Sequence, residues 1–175
     1  MKIIQTSDFK YLNEIIYLYV EAFSTGQSQQ HIDLESLNQY IKLIMKEGYA
    51  HIAFENEKIT GTVLLCPLIL DKDLPLEISK KFNIKKCIYV AEIMVTENAR
   101  GKGIGKRLLE EFFKNVDKKR FTYAFIRVWD QNIPAISLYK KMGFTYLTSI
   151  VQTKMNVDQS GTFDMHKIYL HKKIN

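Results

Sequence analysis

Three glycines alternate with three cations and one isoleucine over seven consecutive positions, Arg100-Gly101-Lys102-Gly103-Ile104-Gly105-Lys106. They follow the apolar, β-branched run ending in Ile93-Met94-Val95 and the polar turn Thr96-Glu97-Asn98-Ala99. They precede a segment with apolar residues at Ile104, Leu108, Leu109, Phe112, Phe113 and Val116, which is the spacing of one helix face. A strand, a glycine-rich turn and a helix start together make an anion site. The first N–H groups of a helix lack internal acceptors and its dipole favours negative charge there. Gly101, Gly103 and Gly105 carry no Cβ to obstruct a ligand, and Arg100, Lys102 and Lys106 add positive charge. The chemistry implied is the holding of a phosphate or pyrophosphate.

Two common phosphate loops fail on spacing. In G-x-x-x-x-G-K-[ST], counting back from Gly105-Lys106 puts Arg100 at the first glycine and Arg107 at the final hydroxyl residue. In G-x-G-x-x-G, starting from Gly101 and Gly103, the third glycine falls on Lys106. What remains is R-x-x-G-x-G, at Arg100, Gly103 and Gly105. Downstream, a second pattern reads Asn132, Ala135 and Tyr139, followed by Gly143-Phe144.

Here the chain resembles the GNAT superfamily of N-acetyltransferases, whose acetyl-CoA pyrophosphate loop has the form [Q/R]-x-x-G-x-[G/A] and whose downstream signature is N-x-x-A-x-x-x-Y before G-F. The two motifs occur in the family's order, with room for one helix and one strand between them. The resemblance implies an α/β (α+β) GNAT fold, with a mixed central sheet of about seven strands flanked by about four helices. It implies acetyl-CoA as cosubstrate and transfer of its acetyl group to a primary amine by direct attack in a ternary complex.

The resemblance also assigns residues. The backbone of Met94 and Val95 is expected to pair with the pantetheine arm, which requires their strand to splay from its neighbour at residues 121–129. The N–H groups of Arg100, Gly101, Lys102, Gly103, Ile104, Gly105 and Lys106 are expected to hold the pyrophosphate. Asn132 is expected to bond the pantetheine or to cap the next helix. Tyr139 is the expected general acid, since a phenol with a pKa near 10 is protonated at neutral pH and can donate. Glu92 is the candidate base: its neighbours Ala91, Ile93 and Val95 are apolar, and partial burial raises a carboxyl pKa. One departure stands out. Some ribosomal-protein acetyltransferases of the superfamily use a glutamate five residues before the signature asparagine, and that position here is Arg127. Their mechanism and substrate therefore do not transfer simply.

These residues need a scaffold, and 175 residues suit a single domain spanning 1–175. A hydrophobic content of 46% and a charged content of 25% are ordinary for a soluble protein. No signal-like segment opens the chain and no apolar run reaches the length of a membrane span, so a cytoplasmic, membrane-free protein is expected. Cys66 and Cys87 lie in apolar strand-like surroundings and are expected to be buried free thiols, with no metal site. The net charge of +6 is spread over many short clusters without a basic helix or an RNA-binding aromatic signature. That argues against nucleic acid and for a polyanionic small ligand.

Residues 2–5 form a first strand. Asp8 caps a helix to about residue 23, with Phe9, Leu12, Ile15, Ile16, Tyr19, Ala22 and Phe23 inward. The polar piece 24–31 is a loop whose His31 is a candidate for the acceptor site. Asp33 caps a second helix, with Leu34, Leu37, Ile41, Ile44 and Met45 inward, ending at Gly48. Two antiparallel strands follow, joined at Asn56-Glu57. Residues 71–86 make a charged excursion with a helical turn, a candidate cover for the acceptor. Cys87–Val95 is the strand before the glycine loop. Residues 121–129 are the next strand, Pro134 suits the first turn of the helix ending at Gly143, and the last two strands begin at Phe144 and Thr162. Trp129 is assigned to core packing, with the acceptor wall as the alternative.

The acceptor amine is open: a peptide N-terminus, a lysine, a polyamine, an aminoglycoside or another small amine. A cationic acceptor would favour a pocket of carboxylates such as Glu21, Asp33 and Glu35. A homodimer is compatible with the resemblance. The rival reading is a non-catalytic acyl-CoA-binding module.

Overall fold

The computed structural model describes residues 1–25 and 28–174. One seven-stranded sheet organises the chain. Its strands are β1 (Lys2–Thr6), β2 (Tyr49–Glu55), β3 (Lys58–Pro67), β4 (Cys87–Val95), β5 (Tyr123–Trp129), β6 (Thr145–Met155) and β7 (Thr162–Lys173), in the spatial order β1-β2-β3-β4-β5-β7-β6. Neighbours are antiparallel except β4 and β5, which run parallel. A parallel pair needs a crossover, supplied here by the turn at Glu97–Ala99 and helix α4.

The helices are α1 (Leu12–Ser24), α2 (Leu34–Glu47), the short α3 (Leu76–Lys81), α4 (Ile104–Asn115) and α5 (Ile133–Lys141). Each long one is placed by an apolar stripe. Ile15 and Leu18 of α1 and Ile41, Ile44 and Met45 of α2 pack on one sheet face, against Phe125 and Tyr169. Leu108, Leu109 and Phe112 of α4 and Tyr139 of α5 pack on the other, against Val90, Ile126 and Leu170. The caps agree with local chemistry. Asp33 accepts the Ser36 N–H at 2.8 Å, and Asn132 Oδ1 accepts the Ala135 N–H at 3.2 Å, with Pro134 in the first turn of α5.

Two expectations need correction. Asp8 caps a short 3-10 turn, Phe9–Tyr11, and α1 starts only at Leu12. That turn takes Phe9 out of phase with the α1 stripe and leaves it exposed, and Leu34, the first residue of α2, is exposed too. The four longer helices match the expected number, and the six-residue α3 is a fifth among the described residues. No helix among those residues is long and apolar enough to cross a membrane.

Two irregularities in β4 shape the site. Against β3 the register passes from Leu65↔Val90 to Leu64↔Glu92, so Ala91 is an extra residue, a β-bulge. Against β5 the pairing runs only from Cys87↔Tyr123 to Val90↔Ile126. Beyond that point the two strands part.

Candidate active site

The parting of β4 and β5 opens a cleft of about 850 Å³. Its walls are residues Val90–Val95 of β4 and Ile126–Trp129 of β5. At one end lies the glycine loop, and at the other lie side chains on the α1/α2 face of the sheet.

The glycine loop is built as an anion cradle. Gly101 and Gly103 have φ of +75° and +78°, left-handed values that side chains rarely tolerate. A Cβ at either would meet nothing within 4 Å, so the backbone angle, not crowding by the protein, requires glycine. Gly105 differs: its added Cβ would lie 3.3 Å from Leu138 Cδ2, so its smallness serves the packing of α4 on α5. Gly105 also lines the cleft, so the packing adds to the room expected there for a ligand. Gly103 is the N-cap of α4, and the first backbone acceptor used inside the helix is Gly103 O, bonded by Arg107 N at 3.1 Å. The N–H groups of Ile104, Gly105 and Lys106 therefore have no helical acceptor. Arg100 is held by a 3.2 Å bond from its Nε to Val95 O. Lys106 pairs with Glu110 at 3.3 Å on an exposed face.

Of the residues singled out by sequence, Glu92, Met94, Val95, Arg100, Gly101, Gly103, Ile104, Gly105, Lys106, Asn132 and Tyr139 all line the cleft. Lys102 is exposed and is not among its walls. Trp129 lines it as well and is only partly buried, not packed in the core as expected, because β4 no longer pairs with β5 at this position and leaves that side of the residue open to the cleft. His31 lies outside the walls, while Ser28 and Gln30 of the same loop belong to them. Gly26 and Gln27, in that loop, fall outside the described residues.

Glu92 points to the α1/α2 side, where its Oε1 accepts a 3.0 Å hydrogen bond from the Tyr40 hydroxyl of α2. Burial raises its pKa. Lys167, the Tyr40 bond, Arg127 and Lys154 act in the opposite direction. Tyr139 is buried among the α4/α5 residues with its ring edge-on to Phe144, and burial, then the charge of Glu92, raise its pKa. Lys167 of β7, opposite Trp129 of β5 in the register, also lines the cleft. Its ammonium has no ion-pair or hydrogen-bond partner among the described residues. Burial pulls its pKa down to about 8, against an opposing pull from Glu92.

Arg127 has a structural partner set. Its Nη1 reaches Asp71 Oδ1 at 3.1 Å, Asp73 Oδ2 at 3.0 Å and the Tyr169 hydroxyl at 2.9 Å. Tyr169 in turn donates to Asp71 Oδ2 at 2.7 Å, and Gln152 Nε2 to Asp73 Oδ2 at 2.6 Å. The 71–86 excursion is thus pinned to β5, β6 and β7, and none of its described residues lines the cleft. Glu21, Asp33 and Glu35 do not line it either: Glu21 accepts the Glu97 N–H at 3.0 Å and Asp33 caps α2. Cys66 and Cys87 are buried and free, and burial pushes their thiols up to about 12 and about 11. Among the described residues no group of three or more His, Cys, Asp or Glu stands ready for a metal.

Tyr40 and Lys167 escaped the sequence reading. Tyr40 sits in an amphipathic helix, and Lys167 alternates with Met165 and Tyr169 along a strand, so neither carries a signal without the tertiary contact.

Comparison with solved structures gives the same fold at low identity. The ribosomal-protein-alanine N-acetyltransferase from Brucella melitensis matches with a TM-score of 0.74 and 18% identity, over 99% of each chain. The N-acetyltransferase from Staphylococcus aureus Mu50 matches with a TM-score of 0.74 and 15% identity, over 100% of each chain. The protein yncA from Salmonella typhimurium, solved with its cofactor acetyl-CoA, matches with a TM-score of 0.73 and 14% identity, over 100% of this chain and 95% of that one. The family model described as the acetyltransferase (GNAT) family matches residues 12–144. That span holds both motifs and every residue lining the cleft except Met165 and Lys167 of β7, and by it the chain belongs to the GNAT acetyltransferase family.

Proposed function

We propose that this protein transfers an acetyl group from acetyl-CoA to a primary amine that attacks the thioester directly. The observation that carries the reading is the loss of β4–β5 pairing beyond Val90↔Ile126. It frees one backbone edge of β4 from Ala91 to Val95, with the glycine loop at one end of the cleft and Glu92 near the other.

The residues present fit coenzyme A. An extended, amide-bearing arm can add to the freed edge at Met94 and Val95 as a further strand would. The N–H groups of Ile104, Gly105 and Lys106 suit a pyrophosphate, with Arg100 and Lys106 supplying charge. Asn132, which lines the cleft, uses its Oδ1 on the cap of α5, so its Nδ2 is the donor it has left for the pantetheine. When bound, acetyl-CoA supplies an activated acyl group.

Glu92 receives the proton that an incoming ammonium must lose. Its raised pKa makes it a better base than a solvated carboxylate, while the Tyr40 bond keeps the charged form accessible. Tyr139, whose pKa is raised, stays protonated at neutral pH and donates to the departing sulfur. The two thiols, buried and well above their ordinary pKa, make poor nucleophiles, which favours direct attack. The absence of a carboxylate cluster on the described walls disfavours polycationic acceptors.

Titration calorimetry with acetyl-CoA, against ATP and NAD, tests the cofactor. Selective binding followed by thiol release with a panel of amines would support the transferase. Binding with no release from any amine would leave the acyl-CoA-binding module, and no binding would end both readings.

A further inference from the structure

We propose that Lys167 is itself an acetyl acceptor, so that the protein, given acetyl-CoA and no amine, acetylates its own cleft. The inference rests on the transferase reading above. Its geometry is independent of the external acceptor.

Lys167 lies on β7 opposite Trp129, three residues past the last β4–β5 pair on β5, and so borders the opened part of the sheet. It shares the cleft with Glu92, Tyr139 and the free edge of β4. All three line the one cleft, and the charge of Glu92 acts on both Lys167 and Tyr139. The charged groups facing Lys167 are Glu92 of β4, Lys154 of β6, Arg127 of β5 and Asp73 from the 71–86 excursion. Arg127 and Asp73 are bound to each other at 3.0 Å, and Glu92 is bound by Tyr40. The Lys167 ammonium is left without a partner, although the residue is partly buried. A lysine that is partly buried and unpaired loses its proton more readily than one in water, and only the neutral amine is nucleophilic. Burial brings its pKa to about 8, so a useful fraction is neutral near neutral pH.

The step balances without another reactant. The Nζ lone pair of neutral Lys167 attacks the acetyl carbonyl carbon, an N–C bond forms and the C–S bond breaks. The proton lost from nitrogen goes to Glu92 or water, and the sulfur leaves as a thiol with a proton from Tyr139 or water. The products are an amide at Lys167 and free coenzyme A. The modification removes a positive charge from beside Glu92. A good external amine competes with it, and a poor one does not.

The experiment is incubation of the full-length protein with acetyl-CoA at pH 7 and pH 9, followed by intact-mass measurement and peptide mapping. The expected result is one acetyl group at Lys167, formed at least tenfold faster than at the exposed Lys114 or Lys118, and faster at pH 9. The Lys167→Arg protein should lack that label. A parallel footprint uses acetic anhydride on the protein without acetyl-CoA: saturating coenzyme A should slow labelling of Lys167 several-fold. Calorimetric binding of acetyl-CoA together with an unlabelled Lys167 would overturn the inference and leave the transferase reading standing. Labelling no faster than at the exposed lysines, or a footprint that coenzyme A does not change, would overturn it equally. Failure to bind acetyl-CoA at all would remove both.

Discussion

The Tyr40 hydroxyl donates to Glu92 Oε1 at 3.0 Å, tying helix α2 to the bulged strand at the mouth of the cleft. Tyr40 itself is shielded, with burial raising its pKa and the Glu92 charge adding to the rise, so it acts as a fixed donor. The bond favours the carboxylate form of Glu92. Removing it with Tyr40→Phe should raise the Glu92 pKa, and the acid limb of the kcat/KM profile should move to higher pH. A hydrogen bond to a charged group is worth about 1.5 kcal/mol, which corresponds to roughly one pH unit. A limb that stays in place would take Glu92 out of the proton path.

Tyr139→Phe removes the hydroxyl from the opposite side of the gap while keeping the ring that packs on Phe144. Turnover should fall about 100-fold, as for loss of a general acid, with acetyl-CoA affinity nearly unchanged. Equal turnover in the two proteins would exclude Tyr139 from the mechanism.

Gly103→Asp places a side chain on a left-handed backbone in open space. The folding cost should be confined to the backbone, about 1–2 kcal/mol. Acetyl-CoA affinity should drop by at least tenfold, because a carboxylate now faces the phosphate cradle. Calorimetry alongside urea denaturation separates the two effects; unchanged affinity would mean that the loop does not hold the phosphates.

Arg127→Met should destabilise the fold by about 3 kcal/mol, since it leaves the Asp71 side chain, only 2% exposed, without its cation. Asp71→Asn in the Arg127→Met protein should recover part of that loss. If the single variant is as stable as the parent in urea, the network is ornamental to folding.

His51 is fully buried on β2, and neither ring nitrogen has a partner. Burial lowers its pKa, opposed by the charge of Glu111. The folded protein therefore holds His51 neutral, while the unfolded chain takes up a proton near pH 6.5. The unfolded state binds more protons below that point, so stability is intact above about pH 6.5 and falls as the pH drops below it. The loss is at most about 1.4 kcal/mol per pH unit for one group. His51→Phe should flatten the stability difference between pH 7.5 and 5.5, and an unaltered slope would assign the acid sensitivity to other groups, among them His171, whose pKa burial also lowers.

What could be read in the letters was local. The alternation of glycine and charge, the strand Cys87–Val95 before it and the caps at Asp33 and Asn132 depend on neighbours a few residues away. Backbone angles and helix caps are settled at that range, so the strand–loop–helix unit and the succession of seven strands along the chain were legible in the sequence. The two motifs then led to the family.

What the letters did not contain was set by contacts between distant segments. Tyr40 meets Glu92 across 52 residues, and Arg127 meets Asp71 across 56. The bulge at Ala91 and the parting of β4 from β5 after Val90 arise from how three strands register, not from any one of them. Trp129 and Lys167 face the cleft because of that parting. Sequence periodicity tells which face of an element is apolar; only the assembled sheet decides where two such faces fail to meet, and that gap is where the polar groups of the site converge.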